Sequence, residues 1–123
     1  MNKKFAIGTK VREILIADDT VTSKVADRVF PIDAPKDAKG DFVIYMRDKY
    51  DRAYNNMGFE DTAHIILVAA SKKYDRSQSL AEAVDDAMEA AESAGEFKML
   101  KLLDSSEDHD ADTYFNILIY SIL

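Results

Sequence analysis

Two imidazoles, His64 and His109, stand in a chain of 123 residues. His109 lies within Asp104-Ser105-Ser106-Glu107-Asp108-His109-Asp110-Ala111-Asp112, a stretch crowded with carboxylates and hydroxyls. Those residue types suit two chemistries. One is cation binding by carboxylate oxygens and an imidazole. The other is nucleophilic attack by Ser105 or Ser106 with His109 as base. The spacing supports neither. The calcium loop's alternating Asp/Asn, glycine and closing glutamate are missing, and no nucleophile elbow presents a serine. His64 sits in an apolar run, the setting of a packed or edge imidazole. Gly8, Gly40, Gly58 and Gly95 are scattered singly, so no glycine-rich phosphate loop exists. The absence of cysteine removes disulfides, thiolate metal sites and thiol nucleophiles together. The expectation is a protein without enzymatic activity, cofactor or metal, with a small hydrolase using His109 and Ser105 or Ser106 as an alternative.

A second stretch, residues 47–61, mixes aromatic and charged side chains and reads as the tip of a long hairpin whose ends extend the flanking strands. Aromatics beside Arg and Lys stack on nucleobases, but Tyr and Arg also favour protein interfaces. Asp48, Asp51, Glu60 and Asp61 dilute the positive charge here. The whole chain carries 16 Lys+Arg against 23 Asp+Glu, a formal charge of −7. A nucleic-acid grip or an anionic membrane surface requires clustered basic residues. Tyr50, Arg52, Tyr54 and Phe59 are therefore candidate protein-partner contacts on a hairpin. The alternative is a hairpin whose aromatics fold back onto the sheet. No sequence-specific nucleic acid and no membrane partner is expected.

These residues must be positioned by a single domain, since 47% hydrophobic residues in one short chain suffice for one core. Ile7, Val11, Ile14 and Leu15 follow one helical stripe. Asp19 or Thr20 can cap a short second helix with Val21 and Val25 inward. Residues 28–31 read as a short strand that Pro31 ends or leaves at an edge. Breakers and charges mark residues 33–41 as a loop. Residues 42–46 are a strand apolar on both faces, and 62–70 another. A second main helix begins near Asp75, with Asp75/Gln78 or Ser79/Glu82 as capping boxes. Leu80, Val84, Ala87, Met88 and Ala91 form its inner stripe; Glu82, Asp85, Asp86, Glu89 and Glu92 form an acidic outer face. Gly95 stops it. Residues 96–103 and 112–123 read as strands joined by a polar acidic loop. The class is α+β, a mostly antiparallel sheet with two main helices packed on one face.

Neither a signal-peptide core of ~7–15 apolar residues follows Lys3 and Lys4, nor does any apolar run approach the ~20 of a membrane span. The expected site of synthesis is the cytosol.

The segment order resembles the tail-completion, or tail-terminator, family of tailed bacteriophages and prophages. The residues that carry the resemblance are Arg28-Val29-Phe30-Pro31, Pro35, Phe42-Val43-Ile44-Tyr45, Tyr74, and the helical Leu80-Ala81-Glu82-Ala83-Val84. It covers most of the chain, from about Val11 onward, and rests on short apolar motifs. It implies one tail-terminator-like domain over 1–123, acting as a structural virion protein of the head–tail junction. It implies homo-oligomeric rings, often hexamers, joining the tail-tube protein to head-completion or connector proteins after assembly in the bacterial cytoplasm. Arg28, Phe30, Pro31, Phe42, Tyr45 and Val84 carry over as scaffold only. On this reading Asp104, Glu107, Asp108 and Asp110 face a lumen through which DNA passes, or a basic partner. The alternative is a host or prophage α+β protein-binding module with no virion role.

Overall fold

The computed structural model describes the backbone of residues 4–55 and 58–123 and the side chains of 5–49 and 62–123. Helices α1 (Ile7–Ala17), α2 (Asp19–Val25) and α3 (Tyr74–Ser93) pack on one face of a five-stranded sheet. The strands are β1 (Val29–Pro31), β2 (Phe42–Asn55), β3 (Gly58–Ser71), β4 (Leu100–Asp110) and β5 (Thr113–Ile122), in the spatial order β1-β2-β3-β5-β4. β1 runs parallel to β2; every other pairing is antiparallel. The architecture is α+β with a mostly antiparallel sheet.

The helical periodicity places the core. Ile7, Val11 and Leu15, spaced by four, are buried from α1, and Val21 and Val25 from α2. The break between the two helices is capped by Asp18, not by Asp19 or Thr20. Its carboxylate accepts from Val21 N at 2.9 Å, satisfying a donor that the helix start leaves unpaired. On α3, Leu80, Val84, Ala87, Met88 and Ala91 are all buried, together with Ala81 and Ala83. The many alanines let the helix lie close to β3 and β5. Neither capping box forms. The helix opens at Tyr74 after Lys73, which makes no side-chain cap, and Asp75 stands in the first turn where its charge favours the dipole. Gly95, at φ +86°, ends the helix as expected, because a left-handed residue is needed there.

The strands alternate, so each sheet face can be read from the sequence parity. Val43, Ile65, Leu67, Ala69, Leu118 and Tyr120 point into the core beneath the helices. Two polar links, one buried and one part-buried, fasten α3 to this face. Ser77 Oγ donates to Ala69 O at 3.0 Å and accepts from Asn116 Nδ2 at 2.9 Å. Tyr120 OH donates to Asp85 at 2.6 Å. Burial first, then that carboxylate, pushes the phenol well above its ordinary range.

The β2–β3 hairpin is longer than its apolar runs, and both ends of β4 differ from the expectation. β2 and β3 run past their apolar runs at 42–46 and 62–70 to a pairing of Asn55 with Gly58, the extension expected of a long hairpin. They form one hairpin about 45 Å long at ~3.3 Å per residue. β4 begins at Leu100, not at 96. The segment 104–110 is strand, not loop, and turns into β5 through Ala111 and Asp112. Polarity misled the reading, because an edge strand open to solvent on both faces needs no apolar alternation.

Candidate interaction surface

The face of the sheet opposite the helices carries no helix among the described residues, yet it is apolar. Three rungs cross it. Met46 pairs with Ile66 and Ile66 with Ile119; Ile44 with Val68 and Val68 with Ile117; Phe42 with Ala70 and Ala70 with Phe115. Phe30 pairs with Ile44 and extends the middle rung, its ring 6.1 Å from that of Phe42. Except for the small, buried Ala70, these side chains are half-buried, shielded by their strand neighbours and open outward. An apolar band on a sheet face without a helix over it is a candidate contact surface. Both faces of residues 42–46 are apolar, as the sequence indicates, but only one is covered by helices.

The loop 32–41 folds over one end of this face and leaves a cleft of about 430 Å³. Phe42, Ile44 and Phe115 line it, with Lys36, Lys72 and Asp112 also on its wall. Lys72 pairs with Asp112 at 3.4 Å, which holds the Asp112 carboxyl below its ordinary range. A clasp fixes the loop. Asp41, buried, accepts from Ser71 Oγ at 2.8 Å and from Arg76 Nε and Nη2 at 3.1 and 3.0 Å. Arg28 Nε donates to Asp41 O at 2.8 Å. The Arg28 guanidinium lies so close to Gly40, at φ +87°, that a Cβ there would stand 2.9 Å from Nη2. Arg28 and Phe42 thus have concrete scaffold roles: one holds the loop, the other floors the cleft. Tyr45 packs against the core, and Val84 is buried within it.

Ile32, immediately after β1, is 71% exposed at φ +68°. A β-branched residue with positive φ is a genuine outlier. Its N–H donates to Tyr45 O at 2.9 Å, which holds the strained residue at the sheet edge beside the apolar face. No sequence signal singles out Ile32. Nor did the sequence reading mark Met99, Leu102 and Leu103, at 53%, 44% and 44% exposed, which cluster at the start of β4. Their strand reads as ordinary core sequence, and only the topology shows that β4 is an edge.

The expected acidic set divides. The cross-strand pairs put Asp104, Asp108 and Asp110 on the apolar face, opposite Ile119, Phe115 and Thr113. Glu107 faces the other way, opposite Asn116, and accepts from Tyr74 OH at 3.0 Å. That bond raises the Tyr74 phenol above its ordinary value. His109 packs on Tyr114, ring centroids 4.5 Å apart, and Tyr74 meets Tyr114 edge-on at 5.6 Å. This cluster pins the β4–β5 hairpin to the start of α3.

The strand also separates the hydrolase candidates. Ser106 faces away from His109, and Ser105 lies four residues from it, about 13 Å along the strand. Neither serine can give its proton to that imidazole. Among the described residues, no group of three or more His, Asp or Glu is placed to hold a metal ion. Tyr50, Arg52, Tyr54 and Phe59 lie on the distal half of the β2–β3 hairpin, and their side chains fall outside the described residues. No described helix is long and apolar enough to cross a membrane.

No family model matches this sequence, and no curated protein matches it. Among solved structures, it is similar to a chain of the virion of a native gene transfer agent particle, with a TM-score of 0.68 at 17% identity. The match covers 91% of this chain and 89% of that one. The two share a fold. Coverage of about nine-tenths of both chains means that the likeness extends over most of the fold rather than one common motif.

Proposed function

We propose that this chain is a structural virion protein of the head–tail junction, a ring-forming subunit that caps the tail and joins it to the head connector. The observation that carries the reading is the fold shared, nearly end to end, with a component of the gene transfer agent virion. The surface supports it. A half-buried apolar face and a long hairpin leave the protomer incomplete, and assembly would complete it. A ring repeats one heterologous contact, which requires two different patches on each copy. The apolar face is one such patch, and the distal β2–β3 hairpin, whose side chains lie outside the described residues, is the proposed second. The role is non-enzymatic, needs no cofactor, and involves the tail-tube and head-completion proteins as partners.

The acids of β4 fit a subunit that lives beside DNA without holding it. Carboxylates repel phosphates within a Debye length of about 8 Å at physiological salt. The test is location and loss. Antibody against this chain should label particles from the encoding genome at one point, between head and tail. Deleting the gene should give separate heads and tails, restored by the wild-type copy. Label spread along the tail, or normal particles from the deletion, would overturn the reading.

A further inference from the structure

β4 is the outermost strand of the sheet, and among the described residues no strand pairs with its outer edge. There the N–H groups of Leu100, Ser105 and His109 donate instead to the carboxylates of Glu92, Asp104 and Asp108. Every residue from Lys101 to Asp110 is exposed. Unpaired edges of this length invite another strand, and folded proteins usually blunt them with lysine, proline or a bulge. β4 has one bulge, near Leu103, and one lysine, Lys101. Otherwise its charge is negative, and its first residues expose Met99, Leu102 and Leu103.

The carboxylates flank the edge on both sides. On the apolar face stand Asp104, Asp108 and Asp110. On the helix face, Asp85, Glu89 and Glu92 line a cleft of about 220 Å³ between α3 and β4, floored by Leu102 and Tyr120. An added strand would place alternate side chains beside one acidic row and then the other. A second copy's β4 is excluded, because carboxylates would stand opposite carboxylates. Nucleic acid is excluded by the same sign.

The geometry points to an occupant of one kind: an extended segment of another protein, basic on both of its faces, with an apolar residue seated over Leu102 and Leu103. It binds by strand addition: its lysine or arginine draws the Asp104 and Asp108 carboxylates off the Ser105 and His109 amides, which then bond the added main chain. This contact stands independently of the head–tail assignment, since it rests on the edge and its charge alone.

The probe is a synthetic strand-length peptide, capped at both ends, with lysines on both faces around a central valine. Fluorescence anisotropy on the full chain measures its affinity, and amide hydrogen exchange maps its place. Three like-charge contacts suffice for roughly tenfold weaker binding when glutamate replaces the lysines. N-methylation of alternate peptide amides should weaken binding by a similar factor, because it removes the ladder bonds and leaves the charge. Exchange should slow within Leu100–Asp110 and stay unchanged in β1. The Asp104→Lys/Asp108→Lys/Asp110→Lys variant should reverse the preference toward the glutamate peptide. Equal binding of the N-methylated peptide, or unprotected β4 amides, would overturn the proposal. So would failure of the lysine peptide to bind, which would make the acids simple guards against aggregation.

Discussion

Replacing Asp41 by alanine opens the clasp that holds the loop over the apolar face. The Asp41 side chain is 8% exposed and accepts three hydrogen bonds. Two donors are affected differently. Ser71, 2% exposed, loses its acceptor and is left with a buried hydroxyl, which costs about 1–3 kcal/mol. Arg76, with 58% of its side chain exposed, returns to water, so its ion pair counts for only about 0–1 kcal/mol. The sum is about 1–4 kcal/mol, with a central value of about 2.5. At roughly 3–5 °C per kcal/mol for a domain of this size, that central value lowers Tm by about 8–12 °C. Asp41→Asn keeps an acceptor for Ser71 and loses the charge, so it should cost about 1 kcal/mol. Urea unfolding gives both values, provided that the slope with denaturant stays constant. Amide exchange in the loop 33–40 should quicken in the alanine variant before the core opens. An alanine variant within about 0.5 kcal/mol of wild type, or asparagine as costly as alanine, would refute this account of the clasp.

Three further outcomes follow from the core and the hairpins. Ser77→Ala should cost about 2 kcal/mol because it orphans the buried Asn116 amide. Adding Asn116→Val should recover part of that loss in a double-mutant cycle, and strict additivity would contradict the link. Ala111 sits at φ +54° in the β4–β5 turn, and relief of left-handed strain should outweigh glycine's extra chain entropy. Ala111→Gly should therefore raise the urea midpoint by about 0.5–1 kcal/mol of stability. Tyr120 holds its proton more tightly folded than unfolded, so its stabilisation is complete below pH 10 and is lost as pH rises above it. That loss, up to about 1.4 kcal/mol per pH unit, should shrink in Tyr120→Phe when urea midpoints are followed through the alkaline range.

The parts of the fold legible in the sequence were those with strong periodicity and one covered face. The stripes Ile7-Val11-Leu15 and Leu80-Val84-Ala87-Met88-Ala91 named the helices and their buried sides because 3.6-residue spacing has no competing explanation. The central runs of β2 and β3 were legible for the same kind of reason. β4 was not. Its residues 104–110 are polar on both faces, so their alternation carries no signal, and only pairing with β5 makes them a strand. The same blindness hid the surface. Met99, Leu102 and Leu103 look like core until the strand order places them at an edge. The acids Asp104, Glu107, Asp108 and Asp110 look like one cluster until the pleat sends Glu107 to the opposite face. The capping boxes failed because each was a local pattern, whereas the helix start follows the exit of β3 at Ser71.

The apolar sheet face is the structural feature that most needs an assembly to explain it. Native mass measurement of the purified chain, alone and with the tail-tube protein of the same genome, tests this directly. The account predicts a discrete multiple of the 13.8 kDa protomer, at least in the presence of tube protein. It also predicts that Ile66→Asp/Ile119→Asp, which places charge on the central rung, remains folded by circular dichroism yet stays a protomer. A wild-type chain that is monomeric at every concentration, with and without tube protein, would contradict it.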